Sequence, residues 1–580
     1  MAVLAQDRPD VSSRTRDLLP HFMLGTVVIT SLVIVAHLAV VLWLSFVGGS
    51  PTDERLIYGL GNYHEVFTDT RTYRVVLDTC GFGLYSLAVA LLFGIPTAWL
   101  AERTTLPGKT VLFTLMTLGI LIPDFASSMG WLFLLHPRIG IVNVFLAQTF
   151  GIAGPVFDVT GIAGMGWVQG LNLAPLAFIM TAAVFRSLDP SLEEAAQMSG
   201  AGALSSLRRI TAPLAWPGIL AAVIYIFTIS FAAFDVPAII GWSSRTYTFS
   251  TYLYLLINPQ DVNPHYGLAA ALSSGMMIFA GVLSVWYGTM QKRSRRFAVV
   301  TGKAYRPRLL PIGRKAILAW CFIGLYFVLS KLVPLVLLAW ASFLPYFQLP
   351  SARAIAALSL VHYRALPWNL AITGFSNTAL LAILTPAITL AIAIAFSWVV
   401  LRSRLRFRNL FDLAAFLPHA IPGNVFGIGA LLIALYALQR LIPIYGTIWI
   451  LLLVFVIARL SYATRMTNAG LIQIHTELEE SAQVGGATLA SIFRRVLLPL
   501  LAPTLLYAFL WIALLTFREL TLAVFLSTSG NLTLPVLIWS LWLAGGLGQA
   551  SALAIIMLTL MIPITGLYWY IARRQQQILD

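Results

Sequence analysis

Ionisable side chains inside apolar stretches are the first candidates for chemistry, because holding a charge at membrane depth is costly. Asp235 lies within Phe231-Ala-Ala-Phe-Asp235-Val-Pro237, and Glu519 follows Phe517-Arg518. Asp124 follows Ile122-Pro123 and His419 follows Leu417-Pro418, a matched pair of proline breaks. Such breaks free backbone carbonyls, which survive at that depth only when buried in protein or lining a cavity. The carboxylates Asp235 and Glu519 so placed suit attraction of a cationic or metal-bearing solute, and the breaks at Asp124 and His419 suit a path-lining position. The competing readings are ion pairs within the protein, with Arg518 beside Glu519, and kinks that serve packing. Lys331 reads as one end of an interior salt bridge, Arg459 and Arg465 as partners of carboxylates, and Asn172 as an interhelical hydrogen-bond donor.

Covalent chemistry finds no support. The eight histidines form no H-x-x-H or H-E-x-x-H pattern, and no helix carries a carboxylate pair with acid–base spacing. There is no nucleophile elbow and no G-x-x-x-x-G-K-[ST] phosphate loop. Cys80 and Cys321 read as small core residues, without disulfide or metal spacing.

A second constellation is polar and occurs twice. Leu192 to Pro217 reads LEEAAQMSGAGALSSLRRITAPLAWP, and Leu478 to Pro503 reads LEESAQVGGATLASIFRRVLLPLLAP, without a gap and 286 residues apart. Ser191 and Glu194 have capping-box spacing, the Glu-Ala-Ala run favours helix, and Gly200 or Gly486 interrupts it. Each copy predicts a short helix, a glycine break and a second short helix lying along the membrane surface. Pro213 and Pro217, with Pro499 and Pro503, mark the start of the next span.

The elements that carry these residues are membrane spans. The chain has 580 residues, 59% hydrophobic and 10% charged, with mean hydropathy +0.86. A soluble domain carries about 25% charged residues, so the composition indicates an all-α polytopic membrane protein. A span needs about 20 apolar residues. Spans are predicted near 22–47, 77–101, 110–135, 161–185, 217–242 and 266–289, then 315–343, 372–400, 409–435, 446–470, 503–527 and 549–572. The first exceeds a signal peptide's apolar run and reads as retained. The net charge of +15 sits in short loops beside spans and not on one face, which argues against nucleic acid. One set of loops, holding Arg103, Lys109, Arg208, Arg209, Arg402 to Arg408, Arg494 and Arg495, takes most of it. Basic loops stay inside, so both termini and both repeated segments are expected in the cytoplasm. Trp99, Arg103 and Lys109 match Trp398, Arg402 and Arg408, 299 residues on. Both units start from the same side, a parallel duplication. The loops near 48–75 and 344–370 have room for short interfacial helices.

With Glu194-Ala195-Ala196, Gly200, Ile210 and Ala212-Pro213, then Glu480-Ser481-Ala482, Gly486, Val496 and Leu498-Pro499, the chain resembles the membrane subunits of binding-protein-dependent ABC importers. Ala212, Ser481 and Val496 depart conservatively from that signature. Over nearly its whole length it resembles the fused two-unit permeases of the ferric-iron group, whose relatives carry thiamine, polyamines, phosphonates or sulfate.

The resemblance implies the type I importer permease fold, with unit one at 1–289 (core about 76–288), a basic linker at 290–314 and unit two at 315–580 (core about 372–570). It implies that Glu194, Ala195, Ala196, Gly200, Glu480, Ser481, Ala482 and Gly486 dock two copies of an ATPase subunit. ATP and magnesium would be bound there, with no cofactor or metal on this chain. It implies a periplasmic solute-binding protein, a small solute, a lipid surround in the bacterial inner membrane, and no catalytic residue. The fifth span of each unit would line the path, so Asp235 and Glu519, with Asp124 and His419, are its candidate residues. Ferric iron leads as solute; thiamine, a polyamine and an aminophosphonate stay open. A twelve-span secondary transporter is the rival of another class, and it would not need the paired segments.

Overall fold

The computed structural model describes residues 18–48, 56–152, 154–188, 191, 195, 198–200, 205, 207–258, 264–295, 309–438 and 442–579. Glu194 and Ala196 lie outside them, as does most of the linker. The architecture is all-helical, two tandem six-span units, with one minor addition: Val47–Gly48 pairs antiparallel with Ile57–Tyr58.

Among the described residues, ten helices are long and apolar enough to cross a membrane. Spans 1, 2, 4, 5 and 6 are Leu19–Ser45, Thr70–Arg103, Ile162–Ser187, Arg208–Gly241 and Tyr266–Arg293. Spans 7, 8, 10, 11 and 12 are Gly313–Phe343, Trp368–Arg402, Ile448–Gln473, Leu489–Phe517 and Leu547–Ile571. The third and ninth apolar stretches are not straight spans. Lys109–Leu121 meets Asp124–Leu135 at 90°, and Arg408–His419 meets Gly423–Leu438 at 100°. Proline lacks an N–H and pushes the preceding residue out of the helical region; Ile122 has ψ 126° and Ile421 ψ 136°. The break in span 9 therefore falls at Pro422, the counterpart of Pro123. Pro418, the expected match, lies inside the helix Arg408–Ala420.

Short helices occupy the expected loops, at Gly61–Thr68, Ala352–Ala356 and Val361–Arg364. Span 1 packs on its own span 6 and on spans 8 and 9 of the other unit; span 7 packs on the second limb of span 3. Two glycines make these crossings close. A Cβ on Gly130 would lie 2.1 Å from the Pro334 carbonyl oxygen, and one on Gly429 would lie 2.6 Å from that of His37. Gly130 and Gly429 are counterparts 299 residues apart, so the same device seats each unit's first span on its neighbour. The described end of the linker is tethered too: Leu310 N–H donates to Arg103 O (3.0 Å), and Leu310 O accepts from Thr105 N–H (3.0 Å).

Candidate functional site

Four helix breaks converge on one cavity of about 380 Å³, lined by Asp124, Asp235, His419 and Glu519 together with Gln169, Tyr225, Tyr287, Arg459 and Thr521. Two breaks are those of spans 3 and 9. The others interrupt the fifth span of each unit, at 233–234 and 518–520. All four path candidates from the sequence thus share one wall, although they come from four spans.

Their partners differ from the expected ones. Glu519 does not pair with its neighbour Arg518. It is held by Arg459 of span 10, and its Oε1 also accepts from Leu522 N–H (3.1 Å). Arg518 reaches into the other unit and donates to Ile122 O at 2.9 Å, the carbonyl next to the Pro123 break. Arg465 pairs with Asp412 at 3.1 Å. Lys331 forms no salt bridge with a described residue; its Nζ donates to Asn172 Oδ1 at 3.1 Å, so Asn172 is an acceptor there. Asp124 and Asp235 form no ion pair with any described residue. His419 stacks on Tyr225 of the other unit, ring centroids 5.1 Å apart. Among the described residues no three of His, Cys, Asp and Glu are gathered closely enough to hold a metal.

Asp235 Oδ1 accepts from Thr521 Oγ1 at 2.8 Å, across 286 residues. That separation is the repeat offset, so Asp235 touches its own counterpart. The counterpart of Asp235 is therefore a threonine, and Glu519 corresponds to Ala233. A residue can contact its repeat equivalent only near the pseudo-twofold axis, so the axis runs through this hydrogen bond.

A second such pair lies further from the repeated segments. Thr79 Oγ1 accepts from Phe249 N–H (2.8 Å), and Thr378 Oγ1 accepts from Leu534 N–H (2.9 Å). These equivalent bonds seat the helices Phe249–Ile257 and Leu534–Leu543, and they make Tyr254 the counterpart of Trp539. Their rings meet at 5.0 Å. Phe234 joins Phe525 at 5.7 Å and Trp539 at 5.9 Å, and Trp242 approaches Trp539 at 6.1 Å. Edge-to-face aromatic contacts of this kind add to area burial. The cavity lies on the repeated-segment side of this plug.

The second repeated segment is a helix Thr476–Val484, then Gly486 at φ +80°, then a short helix Leu489–Ile492 capped by Thr488. Gly200, in the first copy, has φ +83°, the left-handed region that only glycine enters cheaply. Glu480 and Ser481 are exposed, Ala482 is half-buried and Ala195 is exposed. Two counterparts that sequence reasoning passed over stand out: Met198 is 83% and Val484 90% exposed. Glu479, one residue before the signature, is buried and pairs with Arg402. The matched Arg103 and Arg402 were the signal available for that contact. Thr521 and the aromatic plug left none, since they are defined only by meeting across the axis.

Relatives agree with this architecture. The putative ferric transport system permease protein FbpB 1 of Haemophilus influenzae is 26% identical over 76% of this chain and 68% of its own length. The ferric transport system permease protein FbpB of Actinobacillus pleuropneumoniae is 26% identical over 83% of this chain and 68% of its own. Both are named as transport permeases and not as enzymes. A crystal structure of a bacterial ABC transporter for the acidic polysaccharide alginate contains a chain 22% identical to this one. The two overlap over 48% of this chain and 96% of that one at a TM-score of 0.34, too loosely to carry a geometric argument. The family of binding-protein-dependent transport system inner membrane components matches residues 90–296 and 387–577, once in each unit, and the chain belongs to it.

Proposed function

We propose that this chain is the transmembrane permease of an ATP-driven importer of ferric iron. Its two repeated segments face the cytoplasm, as the basic loops favour, and dock two copies of an ATPase subunit. The described residues of both copies share an exposed apolar side chain, Met198 or Val484, two residues before a left-handed glycine, Gly200 or Gly486, and the second copy adds the exposed Glu480 and Ser481. Exposed apolar side chains on a polar segment are what a docking partner would cover. A periplasmic binding protein delivers the solute to the opposite face. The cavity is the inward-open chamber of the path, and the aromatic plug is its closed outer gate.

The observation that carries this reading is the contact between Asp235 and its own counterpart Thr521, because a path shared by two equivalent units follows their axis. Iron as cargo is supported by the two relatives and by the wall. Fe³⁺ is a hard cation that favours oxygen donors, and Asp124, Asp235, Tyr225 and Tyr287 offer them. The carboxylates are spread and not clustered, so the wall attracts a cation without trapping it, as conduction requires.

The test is uptake into proteoliposomes holding this chain with its ATPase, with binding protein and ferric citrate outside. Wild type should accumulate iron only with ATP inside. Asp124→Asn combined with Asp235→Asn, which breaks no ion pair among the described residues, should slow uptake about tenfold through lost attraction of the cation. Accumulation without ATPase would favour a secondary transporter, and wild-type rates in the double variant would remove the path role of the acids.

A further inference from the structure

We propose that the second span of each unit is a connecting rod, clamped by Arg103 or Arg402 to the end of the span from which the repeated segment leaves, in unit two also to that segment through Glu479, and tied to the gate by Thr79 or Thr378. This rests on the coupling role proposed above and names the residues that transmit it.

Arg402 is the last residue of span 8, and its side chain is mostly buried. Its Nε donates to Glu479 Oε1 at 2.8 Å, and its Nη2 donates to Leu471 O at 3.0 Å and Ile474 O at 2.7 Å. Those carbonyls lie at and just past the end of span 10, where helix geometry leaves acceptor capacity unused; Leu471 O also accepts from Ile474 N–H at 3.3 Å. One guanidinium therefore joins span 8, span 10 and the repeated helix. In unit one, Arg103 Nη2 donates to Phe185 O at 2.7 Å and Leu188 O at 3.2 Å. Phe185 and Leu188 are the counterparts of Leu471 and Ile474, so the grip on the end of the fourth or tenth span recurs although the two sides of the contact have different repeat offsets.

At the other end of each rod sits the gate bond. Thr79 and Thr378 each accept the first backbone N–H of the helix that carries Tyr254 or Trp539. From Thr378 to Arg402 the helix is unbroken, roughly 36 Å at 1.5 Å per residue. A short helix held only by chain connectivity would swivel when pushed. One braced by a buried, charged strut carries its displacement into span 8, and the rod carries it to the plug. The path acids take no part in this linkage.

The experiment compares solute moved with ATP hydrolysed in proteoliposomes for Arg402→Gln, Glu479→Gln and Thr378→Val, alongside co-purification of the ATPase. ATPase should remain bound in all three, while ATP consumed per iron imported rises about fivefold, the low end of coupling energies between sites. Swapping the charges, Arg402→Glu with Glu479→Arg, should restore part of the ratio that Arg402→Glu alone loses. Thr378→Val keeps shape and tests the gate end even if Arg402→Gln fails to assemble. Unchanged ratios in Glu479→Gln and Thr378→Val would overturn the rod. If ATPase does not co-purify even with wild type, the coupling role itself falls.

Discussion

At the scale of single residues, the wall of the cavity is a balance of buried charge. Arg459 and Glu519 have side chains only 19% and 14% exposed. Removing one member of such a pair strands the other, which costs more than removing both. Arg459→Gln should lower the unfolding free energy by about 3 kcal/mol, the low end for a broken buried pair because both side chains keep some exposure. The double variant Arg459→Gln/Glu519→Gln should recover most of that. Thermal unfolding in detergent reads both; an Arg459→Gln variant as stable as wild type would show that Glu519 does not need the pair. The ionisable residues were legible in the sequence, since charge stands out in apolar runs. Their partners were not. Glu519 takes Arg459 from span 10 in place of the adjacent Arg518, because Arg518 is drawn across the axis to the carbonyl beside the Pro123 break. Chain neighbours do not reveal such choices; only helix adjacency does.

At the scale of elements, apolar length gave twelve stretches and polarity gave the repeated segments. What it did not give was the shape of spans 3 and 9. Pro123 and Pro422 bend them by about a right angle, yet Pro96, Pro175 and Pro386 sit inside helices that continue. At the Pro123 break a partner waits for the freed carbonyl, since Ile122 O accepts from Arg518 of the other unit. The glycine crossings are likewise invisible without packing. Gly130→Val and Gly429→Val should each destabilise the assembled chain by about 1–3 kcal/mol, the usual cost of overpacking. A Cβ at either site meets backbone, which cannot swing aside as a side chain would. Melting temperatures in detergent check this, with Gly275→Val in span 6 as comparison, because a Cβ there meets nothing within 4 Å. Equal melting points for all three would mean that the first spans do not seat closely on their neighbours.

At the scale of the whole molecule, the duplication reads as two units in sequence but is not two bodies in space. Span 1 lies on spans 8 and 9, and span 7 lies on span 3. The hydrophobic core runs continuously from Met23 to Tyr568. Each unit alone would expose to lipid the surface of span 3 or span 9 that its partner's first span covers, including the polar groups at the breaks. Those groups find no replacement in hydrocarbon. Ile122 O would lose Arg518, and Asp235 would lose Thr521. Cutting the chain within residues 296–308 therefore makes a clear prediction. Residues 1–300 or 301–580 expressed alone should be degraded or aggregate, whereas the two co-expressed should co-purify and support ATP-dependent uptake. The tether of Leu310 to Arg103 and Thr105 lies beyond the cut and stays available to guide docking. Either fragment accumulating alone as a monodisperse species with a sharp melting transition would show that the crossed first spans are dispensable. The two units would then be independent bodies joined by a leash, and the axis through Asp235 and Thr521 would be an accident of proximity.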